Sequence, residues 1–288
     1  MLPPEPAGFD PDFLTAPLPL PRPPAEAPVR ELPFTHFTVL LQLDRRLALV
    51  TAVNVDGAQL LDLDRGDDWQ LDPRVSPEQQ AGPQVYADND LDRGHLVRRR
   101  DPVWGDPAIA ARANLDTFSY VNAAPQAALF NQGELLWAGL EDYVLEHARA
   151  HRQRLSVLTA PMLAADDLPY RGIEIPRRFW KIAAWSTEAS AGALQGATGY
   201  VLDQSPQLDL LDLSDAVAAP AAPPLGAYLT YQVPIMDIAA LTGLDLGPLV
   251  AADRMPAPVP LRAADLGVGS PEIDRRWLLL RQMSDIRL

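Results

Sequence analysis

The 288-residue sequence contains no cysteine. Disulfides, zinc–thiolate sites and thiol nucleophiles are therefore excluded, although the redox compartment stays open. No apolar run reaches the roughly 18 residues that a membrane-spanning helix needs. The first residues lack the basic and apolar regions of a signal peptide. From these absences we expect a cytoplasmic protein.

Positive charge is also scarce. The formal net charge is −14, the isoelectric point is about 4.6, and Lys181 is the only lysine. An acidic surface opposes non-specific binding of nucleic acid, so any such binding would need a local basic patch. Hydrophobic residues make up 48% of the chain, which is enough for a substantial core. The length suits one large domain, or one domain with appendages.

The chain divides into three parts. Residues 1–33 hold 11 prolines and predict an extended arm, either solvated or lying across a partner subunit. Residues 34–253 carry the predicted main domain. Residues 254–288 predict a C-terminal helical extension, with Ser270-Pro271-Glu272 capping a helix through Trp277 to Leu280.

Strands and helices interleave in the main domain without regular β-α-β spacing. This favours an α+β fold with a mostly antiparallel central sheet flanked by helices. Helices are predicted over residues 107–114 and about 133–152, and a brief strand over 118–121 would deliver Asn122.

The sequence Asp92-Arg93-Gly94-His95 precedes three consecutive arginines. Neutral imidazole suits a base that activates water near pH 7. Arg93 offers a planar fork of donors to a phosphate, and Gly94 would allow a tight turn and close approach of substrate. A base beside a phosphate-binding cation predicts phosphodiester hydrolysis, but a single tetrapeptide is too short to decide.

A second polar stretch follows between Asn122 and Glu141. Asn131 supplies a neutral oxygen of the kind that Mg²⁺ accepts, although an amide just ahead of a helix is equally typical of an N-cap. Glu141 could hold a metal-bound water or be a solvated surface carboxylate.

Together these motifs resemble the DNA/RNA non-specific endonuclease family, an endonuclease G-like family of the ββα-metal (His-Me finger) superfamily. The resemblance extends from about His36 to Asp253. Its most specific parts are Asp92-Arg93-Gly94-His95, Asn122-x-x-Pro125-Gln126, Asn131-Gln132 and Trp137-x-x-Leu140-Glu141.

The resemblance implies a catalytic role for three residues. His95 would deprotonate the attacking water, Arg93 would contact phosphate, and Glu141 would orient a metal-bound water. Asn131 would be the single protein ligand of one Mg²⁺, or of Mn²⁺ as the alternative ion. That metal would neutralise the scissile phosphate and stabilise the leaving 3′-oxygen, so that the product carries a 5′-phosphate.

The remaining implied roles concern binding and support. Arg65, Arg98 and Arg99 would contact nucleic acid, and residues 92–112 carry a local charge of +2, from five arginines against three aspartates. The alternative, in which Arg98 to Arg100 pair with the acidic loop before them, stays open. The side chains that would support the site from behind are Asp92, Asn122 and Gln126.

One spacing departs from the family pattern. Asn131 and Trp137 are six residues apart, where the pattern has four. We expect residues 133–136 to form a bulge or a longer entry loop. If they extended the helix instead, Glu141 would turn about 200° away and lose its role.

These observations support a Mg²⁺-dependent endonuclease that acts on DNA, and on RNA as a second substrate, with little sequence preference. A catalytically silent nucleic-acid-binding or regulatory protein on the same fold is the alternative, and a phosphodiesterase for smaller substrates is a third. Such a nuclease would need restraint, by an inhibitor, a gating protein, the arm or residues 205–226. By analogy with its relatives it could form a homodimer, and no membrane partner is expected.

Overall fold

The computed structural model describes residues 6–64, 66–127, 137–186, 192–208, 229–255, 277–281 and 285–286, without the side chains of residues 137–143 and 207. The strands in this part of the chain are β1 (Val29–Phe34), β2 (Phe37–Gln42), β3 (Leu47–Asp56), β4 (Leu91–His95), β5 (Ala123–Ala127), β6 (Arg154–Pro161), β7 (Leu168–Tyr170), β8 (Ile173–Ile175), β9 (Arg178–Trp185), β10 (Gly196–Asp203), β11 (Leu229–Val233) and β12 (Leu278–Leu279). The helices are α1 (Pro83–Tyr86), α2 (Pro107–Asp116), α3 (Trp137–His151), α4 (Ser205–Leu208), α5 (Ile235–Thr242) and α6 (Pro248–Ala251).

An antiparallel sheet forms the centre of the molecule. Among the described residues its strand order is β1-β2-β3-β6-β9-β10-β11-β12. Apolar clusters cover both faces, so β3 is buried along its whole length. This architecture confirms the predicted α+β fold with a mostly antiparallel sheet.

Local capping explains where α2 and α5 begin or end. The Asp106 carboxylate accepts a hydrogen bond from the Ala108 N–H at 2.8 Å, and Pro107 occupies the first position of α2, where its missing N–H costs nothing. Gly243 ends α5 in the left-handed region, at φ 68°. The predicted helix at 107–114 is therefore confirmed, with two further residues at its end.

The predicted strand at residues 118–121 is wrong. Tyr120–Asn122 forms a 3-10 turn, in which the Asn122 N–H donates to the Ser119 carbonyl at 2.9 Å. β5 begins only at Ala123 and pairs with β4 in a separate two-stranded sheet. The turn thus places Asn122 directly behind the end of β4.

The N-terminal arm differs from the solvated segment that its prolines predicted. Phe9, Phe13, Leu14 and Leu18 are each less than a tenth exposed and pack into the cluster on one face of the sheet. Val29–Phe34 is itself the edge strand β1. Isolated apolar side chains between prolines have no period, and such a pattern does not predict this packing.

The predicted C-terminal helix is wrong at Leu278–Leu279, which is strand β12. It pairs with β11 through Tyr231↔Leu279 and Gln232↔Leu278. A short apolar run fits a strand as well as a helix, and here an open sheet edge was available. Residues 256–276 lie outside the described part, as do residues 209–228. No described helix is both long and apolar enough to cross a membrane.

Candidate active site

His95 lies at the end of β4, two residues after Arg93. The two strands of the small sheet are in register with Gly94 opposite Ala124 and His95 opposite Ala123. Because side chains alternate along a strand, Arg93 and His95 point to the same face, and Asp92 points to the other. The predicted base and the predicted phosphate-binding cation are therefore neighbours.

Asn122 holds the backbone immediately after His95. Its side chain is fully buried, its Oδ1 accepts from the Val97 N–H at 2.9 Å, and its Nδ2 donates to the Val97 and Thr117 carbonyls, both at 3.0 Å. The Asn122 carbonyl accepts from the Leu96 N–H at 2.9 Å. A buried amide with several partners of this kind fixes one backbone geometry.

Glycine is required at position 94 because the side chain of Gln126 occupies the space of a Cβ, and not because the chain turns there. It lies within β4 and is absent from the residues with positive φ. A Cβ at this position would lie 2.1 Å from Cδ of Gln126 and 2.2 Å from its Oε1. The expected tight turn at Gly94 is thus wrong, and the glycine instead lets the buried Gln126 side chain cross the strand.

Trp69 contacts both candidate residues and was not singled out from the sequence. Its ring centroid is 4.6 Å from that of His95, and Cζ of Arg93 is 5.3 Å from the ring. Phe118 packs edge-on against the imidazole at 5.2 Å and also contacts Trp69, at 5.5 Å. The signal available was the position of Trp69 in a long polar segment, since such segments are often functional.

An acidic side chain beside Trp69 faces the candidate phosphate-binding group. Asp67 lies 3.7 Å from Arg93 and accepts a hydrogen bond from the Trp69 indole at 3.1 Å. Both partners of the ion pair are solvent-exposed, Arg93 by 36% and Asp67 by 69%, so their attraction is weak. Arg93 can therefore exchange this partner for a phosphate at little cost.

The arginines after His95 make internal contacts. Arg99 donates to the Leu63 carbonyl at 2.8 Å and to Asn114 at 3.3 Å. Arg100 pairs with Asp62 at 3.0 Å and with Glu146 at 3.2 Å. These contacts favour, for Arg100, the alternative of pairing with the preceding acidic loop.

The carboxylate of Asp62, in the acidic loop before His95, pairs with both Arg100 and Arg149. Hydrogen bonds from Arg149 and then from Arg100 lower the pKa of Asp62. Arg98 is half-buried. Arg93 is accordingly the arginine of this segment whose position beside His95 best suits a substrate phosphate.

Three predicted site residues lie wholly or partly outside the described part of the chain. Arg65 and Asn131 lie outside the described residues, and Glu141 is described only as part of the α3 backbone. The expected loop at residues 133–136 also lies outside. The chain order is nevertheless clear: β5 ends four residues before Asn131, and α3 is described from six residues after it.

The remaining histidines do not join this site. His36 stacks on Trp104 at 3.5 Å, and its Nδ1 lies 2.8 Å from the Pro102 carbonyl, to which it can only donate. These contacts give His36 a structural role. Burial is the main cause of its lowered pKa. His147 and His151 pack on each other on α3, at 4.1 Å.

A metal site built only from protein carboxylates and imidazoles is not found in the described ranges, which contain no group of three or more His, Asp or Glu suited to it. A hydrated Mg²⁺ with one amide ligand needs no such group. Asn131, the predicted ligand, follows the end of β5 by four residues and lies outside the described part of the chain.

The fold is that of endonuclease G. The structure superposes on the crystal structure of the EndoG/EndoGI complex, which concerns the mechanism of EndoG inhibition, with a TM-score of 0.54. The match covers 77% of this chain and 86% of that one, at 18% identity, so it shows the fold alone.

The profile of the DNA/RNA non-specific endonucleases matches residues 20–253. The chain belongs to this family. A second relative is the protein named "Uncharacterized protein y4fB" of Sinorhizobium fredii, 36% identical over 278 residues. That alignment covers 89% of this chain but only 41% of the relative, so the chain spans about two fifths of the protein it matches.

Proposed function

We propose that this chain is a metal-dependent endonuclease that hydrolyses phosphodiester bonds of DNA, with RNA as a second substrate. The observation that carries the proposal is the shared face of β4, where Arg93 and His95 lie side by side against Trp69. A positioned base next to a phosphate-binding cation is the arrangement that this hydrolysis needs.

His95 acts as the general base. One imidazole nitrogen takes a proton from the attacking water. Asn122 fixes the backbone at Val97, and Trp69 and Phe118 both pack against the ring. Preorganisation of this kind lowers the cost of reaching the reactive geometry.

Arg93 binds the substrate phosphate through its guanidinium, and in doing so exchanges Asp67 for the phosphate. Further candidates for contacts with the nucleic-acid backbone are Arg65, Arg98 and Arg99. Backbone contacts of this kind carry no sequence information, so the enzyme would have little sequence preference.

Asn131 would hold one Mg²⁺, with Mn²⁺ as the alternative, and Glu141 would orient water nearby. The bound ion supplies charge neutralisation at the phosphate and at the leaving 3′-oxygen. Cleavage of the bond between phosphorus and the 3′-oxygen leaves a 5′-phosphate on the product.

Restraint of the activity is a part of this proposal. EndoG in the structural neighbour is bound to EndoGI, and an inhibitor or gating protein would serve the same purpose here. Phe9, Phe13, Leu14 and Leu18 of the arm pack against the sheet in a different cluster from Leu96 and Val97, so they do not support a role in covering His95. A homodimer and a cytoplasmic location stay predictions.

Incubation of purified protein with supercoiled plasmid tests the proposal. Nicked and linear DNA should accumulate with Mg²⁺ and not with EDTA, and the ends should be ligatable without prior phosphorylation because they carry a 5′-phosphate. If the plasmid stays intact with Mg²⁺ and with Mn²⁺ while the protein still retards it on a gel, the catalytically silent alternative is correct. Small phosphodiesters offered in parallel test the third hypothesis, a phosphodiesterase for smaller substrates, which predicts that they are cleaved while the plasmid stays intact.

A further inference from the structure

A cleft separate from the candidate active site lies between the C-terminal half of α3 and the sheet. Its volume is about 870 Å³, and its lining includes no residue of β4 or β5. Pockets for small organic ligands have volumes of roughly 300–1,000 Å³. Its floor is formed by side chains of β6, β9 and β10, among them Leu155, Ala183 and Tyr200.

The lining of this cleft is cationic in a chain that is strongly acidic. Arg152, Arg154 and Arg254 line it together with the His147–His151 pair, and no Asp or Glu is among the described residues that line it. Arg154 also reaches Asp56 at 3.4 Å, but its side chain stays 57% exposed. A local positive field of this kind attracts an anion.

An aromatic wall adjoins the cations. A Cβ on Gly196 would lie 2.6 Å from Nε of Arg254 and 2.6 Å from Cζ2 of Trp185. The glycine therefore lets a guanidinium and an indole meet over the strand, both of which stack well on planar rings.

A polar group in the same wall points to a ligand. The Thr198 side chain is 1% exposed, and its hydroxyl makes no hydrogen bond within the part of the chain that the structure describes. A buried hydroxyl in this state is destabilising, and a ligand with a suitable acceptor or donor would relieve the cost.

We propose that this cleft binds a small aromatic phosphate of the nucleoside 5′-monophosphate class. The phosphate lies among the arginines, and the ring packs against Trp185. A free nucleotide and the 5′-phosphorylated end of a strand share this chemistry. The proposal needs no cleavage and goes beyond the proposed function.

Isothermal titration of the full chain in EDTA, with 5′-AMP, adenosine, inorganic phosphate and a 5′-phosphorylated oligonucleotide, tests the proposal. We expect 5′-AMP to bind at least about tenfold more tightly than adenosine or phosphate, because each of these lacks one of the two recognised groups. Tight binding of the oligonucleotide as well identifies strand ends as a source of the ligand. No binding of 5′-AMP, or equal binding of phosphate alone, overturns the proposal.

Two variants locate the site. The first variant is Arg152→Asn, because asparagine tolerates the positive φ of 52° at this position. The matched control is Arg171→Asn, which lies outside the cleft and has a similar φ of 44°. We expect about a tenfold or greater loss of affinity in the first variant, because a charge-assisted hydrogen bond is lost, and none in the second. If both variants lose affinity for 5′-AMP equally, or if neither loses any, the ligand does not bind in this cleft.

Thr198→Val removes the hydroxyl at nearly constant volume. Because that hydroxyl has no partner among the described residues, the variant should unfold at the same or a higher temperature. Its affinity for 5′-AMP should nevertheless fall severalfold. Unchanged affinity in a folded variant would show that the ligand does not reach this wall.

Discussion

Replacement of Gly94 by alanine tests whether the geometry around His95 depends on the close approach of Gln126. The added Cβ would lie 2.1 Å from Cδ of Gln126, whereas ordinary contact begins at 3.4 Å, so the two must separate by about 1.3 Å. Gln126 is only 2% exposed. Overpacking of this kind typically costs about 1–3 kcal/mol.

Urea denaturation measures this cost, with Gly66→Ala as the matched control. The Cβ at Gly66 would meet only Phe118, at 3.9 Å, so that variant should differ little from the parent. In the double variant Gly94→Ala/Gln126→Ala the colliding atoms are gone, and the combined loss should be smaller than the sum of the single losses by about 1–3 kcal/mol. Additive losses, or a Gly94→Ala variant as stable as the parent, would refute this explanation of the glycine.

Three further changes test other parts of the account. Trp69→Ala should lower plasmid cleavage by about two- to tenfold, because ring contacts of about 0.5–1.5 kcal/mol to His95 and Arg93 are lost. Trp69→Phe, the control, should retain most of the activity. Equal cleavage rates for the parent and Trp69→Ala would argue against this role of Trp69. Burial lowers the pKa of His36 from 6.5, so the unfolded chain takes up the proton first and stability falls as the pH drops below 6.5. His36→Asn, which tolerates the positive φ of this residue, should weaken that pH dependence in urea titrations, and an unchanged profile would contradict the assignment. Deletion of residues 1–19 should destabilise the protein by several kcal/mol, since each lost apolar side chain contributes about 1.5–3 kcal/mol; higher cleavage at unchanged stability would instead identify the arm as a gate.

The local chemistry of the site was predictable, and its long-range contacts were not. Arg93 and His95 are two apart, so any strand through them places both on one face. The reason for Gly94 depends on Gln126, 32 residues later in the chain, and the role of Trp69 depends on how a loop folds back. No periodicity within either segment encodes such contacts.

The fold shows the same division. The α+β class followed from the interleaving of strands and helices, and α2 from its cap and proline. The arm was misread because proline-rich composition predicts an extended backbone but does not show what its apolar side chains will meet. Leu278–Leu279 was misread because the edge of β11, which it completes, is formed nearly 50 residues earlier.

The central claim is that His95 is the base of a metal-dependent nuclease. The most direct measurement compares Mg²⁺-dependent plasmid nicking by the parent and by His95→Ala, with urea stability and DNA retardation as controls for folding and binding. We predict a loss of about 10²-fold or more in the nicking rate, with both controls unchanged. A folded His95→Ala protein that nicks DNA at the parental rate would contradict the account.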